Sequence, residues 1–326
     1  PGLRAMGWLA DFVDSVAAML IDDITGEVRM FPDGNASVAR LLVQKLIPEV
    51  APDMKGFEDV AITRFNYSAL DQAEQATRIR LNSTVVGVKE VGDQVQVDYV
   101  QHGKPLQISA GHCVLACNNN IIPHLCSEMS DAQKDGLSYG ERVPFIYANV
   151  LLENGHAFSK LGVTFTQCPF DPFQWVSAAP TTTSGGYEPP RNSDDPMVVF
   201  MMGSPSPADG REGSTRELLN IGRHKVYQTT FEDYEQDIRQ QLQAMLGKHG
   251  FNHETDIKAI TVNRIPHGYA YWYWGLDDPE WEEGQAPHEI GRKQFGRISI
   301  ANTDSEVMPL MNGAFDAAYR AVHEQV

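Results

Sequence analysis

The first amphipathic pattern runs from Trp8 to Ile21, where Asp11 and Asp14 interrupt an apolar stretch, and it predicts a surface helix. A second follows the turn Pro32-Asp33-Gly34. Apolar residues recur at Val38, Leu41, Leu42 and Leu46, Asn35 or Ser37 can cap the helix, and Pro48 ends it. The period then changes from helical to alternating. RIRLNSTVVGVKEV, QVQVDYV, PLQIS and HCVLAC read as the strands of a β-meander with turns at Gly92-Asp93 and Gly103-Lys104. QVQVDYV alternates, so one of its faces is wet. The run Cys113 to Ala116 is continuously apolar, as in a strand buried on both faces of a parallel sheet.

The middle of the chain mixes short strand-like runs, PFIYANVLL and MVVFMM, with long loops rich in Pro, Gly, Thr and Ser. It predicts a second, antiparallel sheet. TTFEDYEQDIRQQLQAMLGKHGF is the cleanest helical pattern, with Phe231, Tyr234, Ile238, Leu242 and Leu246 on one stripe and Gly247 or Gly250 at its end. DIKAITVNRI returns to a strand, and no internal repeat occurs.

At 326 residues the chain is long enough for about two domains. No apolar run approaches the length of a membrane-spanning helix. The net charge of −17 argues against a nucleic-acid partner. It suits a cationic small substrate, or simply solubility. Cys113, Cys117, Cys126 and Cys168 match no zinc spacing, and no metal site is expected. Asn35, Asn66 and Asn82 begin Asn-x-Ser sequons, a pattern common by chance.

Candidate chemistry concentrates near the C-terminus. The apolar run Ile298 to Ala301 stops at Asn302-Thr303-Asp304, and Asn312-Gly313-Ala314 then opens a small-residue helix. A helix start offers unpaired N–H groups and partial positive charge. Small residues let a ligand approach the backbone, and a nearby Asp accepts bonds from sugar-alcohol hydroxyls. Such a corner would hold a flavin, or it is an ordinary capped helix. HGYAYWYWGL, from His267 to Leu276, holds five aromatic residues. It reads either as the two faces of a strand or as an aromatic wall that attracts cations and excludes water.

The segment Ala301-Asn302-Thr303-Asp304 with Gly313-Ala314 resembles the C-terminal FAD-binding motif of the flavin-containing amine oxidoreductases. FPDGNASVARLLVQKLIP, RIRLNSTVVGV, VLACNNNIIPHL, ITVNRIPHGYAY and ISIANTD extend the likeness, which is nearest to the spermidine-dehydrogenase-like branch. The resemblance implies an α/β chain. It would be the C-terminal portion of a glutathione-reductase-like FAD-binding domain with an inserted antiparallel sheet-plus-helix substrate domain. Residues 1–30 would form a helical lead-in, 31–130 and 263–326 the FAD-binding part, and 131–262 the substrate domain. Val85 would meet the adenine through its backbone, and Ala116 and Cys117 would end a strand passing the cofactor. Asp304 would hold the ribityl chain, with Asn302 where the family usually has Gly. Leu310, Met311 and Gly313 would border the isoalloxazine. Tyr269 would form one side of an aromatic cage whose second tyrosine is replaced by Leu310. Gly268 stands where some members carry a flavin-linking Cys, so the FAD is expected to be non-covalent. Arg142 would match a lysine that holds a water near the flavin, or else be a surface arginine. His267 would orient substrate or pass a proton, or else be a structural histidine.

The implied activity is FAD-dependent dehydrogenation of an amine, polyamine-like, in a periplasmic setting. The alternative is a non-catalytic subunit that kept the fold and lost the cofactor. The chain has 27 glycines and no Gly-x-Gly, the loop that binds the FAD pyrophosphate in such proteins. A partner chain or a preceding segment is therefore expected to supply it.

Overall fold

The computed structural model describes residues 31–179, 182–205, 212–275 and 277–326. The expected lead-in, with its helix from Trp8 to Ile21, lies outside these residues. In chain order the elements are α1 (Ala36–Leu46), β1 (Ser83–Val91), β2 (Gln94–Gln101), β3 (Lys104–Ala110), β4 (Cys113–Leu115), α2 (Ile122–Leu125), α3 (Asp131–Ser138) and β5 (Phe145–Leu152). There follow α4 (His156–Leu161), β6 (Phe165–Gln167), β7 (Trp175–Ala178), β8 (Met197–Gly203), α5 (Thr215–Gln228) and α6 (Phe231–Leu246). The last are β9 (Ile257–Ile265), α7 (Pro287–Gly291), β10 (Ile298–Ile300) and α8 (Met311–His323).

The meander forms as its alternation predicts: β1, β2 and β3 pair antiparallel in that order. Gly92 (φ 64°) and Gly103 (φ 75°) make its turns in the left-handed region that glycine enters without strain. Strand β4 leaves the meander and pairs in parallel with β10, Cys113 opposite Ile298 and Leu115 opposite Ile300. Leu115, Ile298 and Ile300 pack with Val88, Val95, Ile122, Cys126, Met129 and Leu137 in one core. On the other side of β10, Ala301 meets Ala317 and Ala321 of α8.

A third sheet, of five strands, has the order β6-β7-β8-β5-β9, all antiparallel. One face carries Ile146, Ala148, Val150, Leu152, Val199 and Met201 against Tyr234, Ile238, Leu242 and Leu246 of α6. Each fully buried Leu or Ile there contributes about 2 kcal/mol. A reciprocal capping box between Thr230 and Asp233 starts α6, and Gly250 (φ 95°) closes the turn after it. Phe231, the first residue of the expected stripe, is exposed and stands outside the core that Tyr234, Ile238, Leu242 and Leu246 join. Helix α1 begins one residue after Asn35, but Asn35 makes no side-chain cap; Ser37 is instead buried and bonded to Asp33. Helix α3 packs on α7, the carbonyl of Gly291 taking the Gln133 amide at 3.1 Å.

Candidate functional site

The site lies between the β4–β10 pair and the five-stranded sheet, and it is assembled from five segments: 117–119, 141–147, Arg223, 266–269 and 302–304. Entering β5, Val143 N–H donates to the Tyr269 carbonyl (3.0 Å), and Gly268 N–H donates to the Val143 carbonyl (2.9 Å). Arg223 of α5 ties the same two segments from behind. Its guanidinium donates to the carbonyls of Pro266 (3.0 Å) and Arg142 (2.8 Å) and pairs with Glu141 at 2.8 Å. A glycine is required at 268, since a Cβ there would stand 2.7 Å from the Val143 oxygen and 2.8 Å from the Phe145 ring.

Arg142 reaches out of this clamp in two directions. One guanidinium nitrogen donates to the Gly268 carbonyl (3.0 Å), and Nε pairs with the Asp304 carboxylate at 2.9 Å. The Asp304 side chain, 12% exposed, also accepts from the Asn119 N–H at 3.1 Å. Asn302 sets the turn that presents it. At φ 98° its side chain donates to the Cys117 carbonyl while its oxygen accepts from the Asp304 N–H at 2.6 Å. The sequence-derived residues Arg142, Asn302, Asp304 and Cys117 are thus brought into one hydrogen-bonded group, with Gly268 and Tyr269 on its other side.

Tyr269 is 37% exposed and meets the Phe145 ring edge-on at 4.9 Å. Phe145 stacks on Tyr147 (5.9 Å), and Tyr147 on Phe200 (5.7 Å). Burial, with Tyr269 beside it as a hydrogen-bond partner, raises the Tyr147 hydroxyl well above its ordinary value. These rings pave the sheet face opposite α6, because Phe145 and Tyr147 occupy the alternate positions of β5. His267 sits exposed at the rim; desolvation and the nearby Arg223 charge lower its pKa from 6.5.

The aromatic run itself is not a strand. Asp278, buried, accepts from Tyr139 Oη (2.6 Å), Tyr271 Oη (2.8 Å) and Trp274 N–H (2.7 Å), and so pins the run as an irregular loop. Tyr273 Oη bonds His288 Nδ1 at 2.9 Å. Tyr271 and Tyr273 therefore serve structure. Gly313 is buried in the first turn of α8. A Cβ there would stand 2.7 Å from Met308, so the small residue admits the chain's own turn.

The residues fit a flavin in chemistry. A carboxylate offers about four acceptor sites, so Asp304 keeps room for a hydroxyl beside Arg142 and Asn119. The first turn of α8 has no side-chain cap on its N–H groups. Val85, Ala116, Leu310 and Met311, all singled out from sequence, are exposed. The enclosed cavity touching Asp304, with Asn119, Tyr271, Tyr273, His288 and Val307 in its lining, measures only ≈ 20 Å³, the space of one water. A flavin ring would therefore lie on the open side of this corner.

Sequence reasoning missed Arg223, Glu141, Asn119, Phe145 and Tyr147. The start of α5 was legible, since Ser214-x-x-Glu217 is a capping-box signature and both of its bonds form. That Arg223 on that helix would face residues 142 and 266 was not.

No protein-family model matches the chain, and no curated protein sequence matches it. Its fold resembles that of solved flavin amine oxidases. Wild-type putrescine oxidase bound to putrescine superposes with a TM-score of 0.50 at 14% identity, over 75% of this chain and 48% of that one. Cyclohexylamine oxidase from Brevibacterium oxydans superposes with a TM-score of 0.50 at 10% identity, over 74% and 47%. The chain thus spans about half the length of these structures, a mixed α/β fold with antiparallel sheets.

Proposed function

We propose that this chain is the C-terminal, substrate-facing part of an FAD-dependent amine dehydrogenase or oxidase of the spermidine-dehydrogenase-like type, acting on a polyamine-like substrate. The observation that carries the reading is the Arg142 bridge. One guanidinium joins the acid at the end of β10 to the carbonyl before Tyr269, where a flavin corner and an aromatic floor would have to meet. Asp304 and the uncapped start of α8 would hold the cofactor non-covalently, with Val85, Ala116, Leu310 and Met311 along its length. When bound, the flavin supplies the hydride acceptor.

The chain's own residues do the rest. Tyr269, backed by the buried Phe145 ring and by Tyr147, offers an exposed ring to an ammonium group, and the apolar packing behind it keeps water from the reacting carbon. His267, largely neutral near pH 7 because its pKa is lowered, can take the proton that an ammonium must lose before its α-carbon yields hydride. Arg142 offers only donors and pairs with the Asp304 carboxylate. It therefore acts as a fixed cation that orients Asp304, not as a base.

The nucleotide loop, for which the sequence shows no Gly-x-Gly, comes in this reading from a partner chain or from a preceding segment. The test is spectroscopic: the purified assembly should show flavin absorbance that bleaches when putrescine or spermidine is added without oxygen. Tyr269→Ala should raise KM for the amine more than it lowers kcat. Colourless assembly, or a flavin that no amine reduces, rejects the proposal.

A further inference from the structure

The five-stranded sheet packs one face on α6, through Ile146, Ala148, Val150 and Leu152 of β5. The alternate residues Phe145, Tyr147, Asn149 and Leu151 point to the other face. That face runs outward from the Arg142–Tyr269 corner, and its character changes along β5. The inner end is aromatic. Tyr269, Phe145, Tyr147 and Phe200 follow one another with ring centroids 4.9, 5.9 and 5.7 Å apart. Beyond the rings stand two amides and a hydroxyl. Asn149 is directly opposite Thr261 in the register, and Asn263 is opposite Tyr147, one step inward. All three are exposed, and their side chains make no hydrogen bond among the described residues.

Formal charge is what this face lacks. The chain carries 43 acidic residues against 26 Lys and Arg. Yet no Asp, Glu, Lys or Arg occupies the outward positions of β5, or the positions paired with them on β8 and β9. Trp175 and Ser177, which continue the face on β7, are uncharged as well. A second ammonium group of a substrate, taken from water onto such a floor, needs a carboxylate to pair with, and the strands offer none. An amide needs only a donor and an acceptor. Asn149 presents both on one side chain, with Thr261 across from it.

We propose that the outer part of this face is a specificity subsite for the far end of the substrate, and that this end is an uncharged amide. The substrate is then an N-acylated, polyamine-like chain and not a free diamine or triamine. Asn149 accepts from the N–H of the tail amide and donates to its carbonyl, with Thr261 and Asn263 beside it. Asn149 stands about 13 Å beyond Phe145 along the strand, the reach of an acylated triamine laid out straight from Tyr269. The acids elsewhere on the chain draw the cationic end in, and the uncharged floor selects the tail. That the free amine end lies at Tyr269 rests on the proposed function; the chemistry of the floor does not.

The experiment titrates two ligands into the full chain by calorimetry, with any bound flavin reduced beforehand so that nothing turns over. One is spermidine, the other spermidine acetylated on its aminobutyl nitrogen. The acetylated amine should bind about tenfold or more tighter. Asn149→Leu should remove that advantage, and Asn149→Asp should reverse the order of the two ligands. Both variants should keep the parent circular dichroism and Tm, because the position is exposed. Spermidine bound as tightly as its acetylated form overturns the inference. So does binding of neither amine, or a ratio that Asn149→Asp leaves in place. If amines bleach the flavin but spermidine is preferred, the proposed function stands and the subsite fails. If the acetylated amine is selected through Asn149 and no amine bleaches the flavin, the subsite stands and the proposed function fails.

Discussion

Arg142 and Asp304, 162 residues apart in the chain, close a partly buried ion pair of 2.9 Å whose other guanidinium arm holds the Gly268 carbonyl. The pair joins the end of the parallel strand β10 to the entry of the antiparallel sheet. It sets the acid's orientation before any ligand arrives.

Removing that acid leaves both Arg142 and the Asn119 N–H without their acceptor. Asp304→Ala should cost about 2–3 kcal/mol in urea denaturation. Asp304→Asn should cost less, since an amide oxygen still accepts from Asn119. Combining Asp304→Asn with Arg142→Met should fall short of the sum of the singles by about 1 kcal/mol; strict additivity would show that the two residues do not interact.

Asp278 organises the aromatic loop through three donors, from Tyr139, Tyr271 and Trp274. Asp278→Ala orphans all three and should destabilise by about 3 kcal/mol or more. Near-UV circular dichroism should collapse in the tyrosine and tryptophan bands. An unchanged near-UV spectrum would mean that packing alone holds the loop.

Burial, with Arg292 nearby, lowers the His288 pKa from 6.5. Between that lowered value and about pH 6.5 the unfolded chain binds a proton that the folded chain does not. Stability should therefore be level above this window and fall as pH drops through it. His267 shifts in the same direction and adds to the slope. His288→Asn, which keeps an acceptor for Tyr273 Oη and removes the titration, should flatten the acid limb measured by thermal melts. A slope identical to that of the parent chain would assign the effect elsewhere.

Helix α5 crosses the β5 entry closely enough that a Cβ on Gly222 would enter the Pro205 carbonyl oxygen. Gly222→Ala, which elsewhere in a helix would stabilise, should here lower Tm by several degrees, for a cost of about 1–3 kcal/mol. It should also loosen Arg223, one residue on, and with it the clamp on residues 142 and 266. A raised Tm would show that the helix can shift.

Period and punctuation made much of this architecture legible. Alternation marked β2, strand-like runs marked β1 and β5, the Ile238-Leu242-Leu246 spacing marked α6, and Gly92 and Gly103 marked turns that the backbone makes. At the site, Asn302, Asp304, Cys117 and Arg142 were all named from sequence and all meet. Their mutual satisfaction was hidden, because an ion pair across 162 residues leaves no local pattern. The aromatic run misled for the same reason. Its spacing allows a strand, but Asp278 draws two of its residues, Tyr271 and Trp274, inward and breaks the alternation.

What the amino-acid order determined by itself is which faces are apolar and where the chain turns, since both depend on side chains a few residues apart. It could not say which apolar face is covered. Cys113 to Ala116 reads as buried throughout, yet Val114 and the outer stripe of α8 stand bare. Burial belongs to pairs of elements, and only the folded chain shows which of those pairs are made within it.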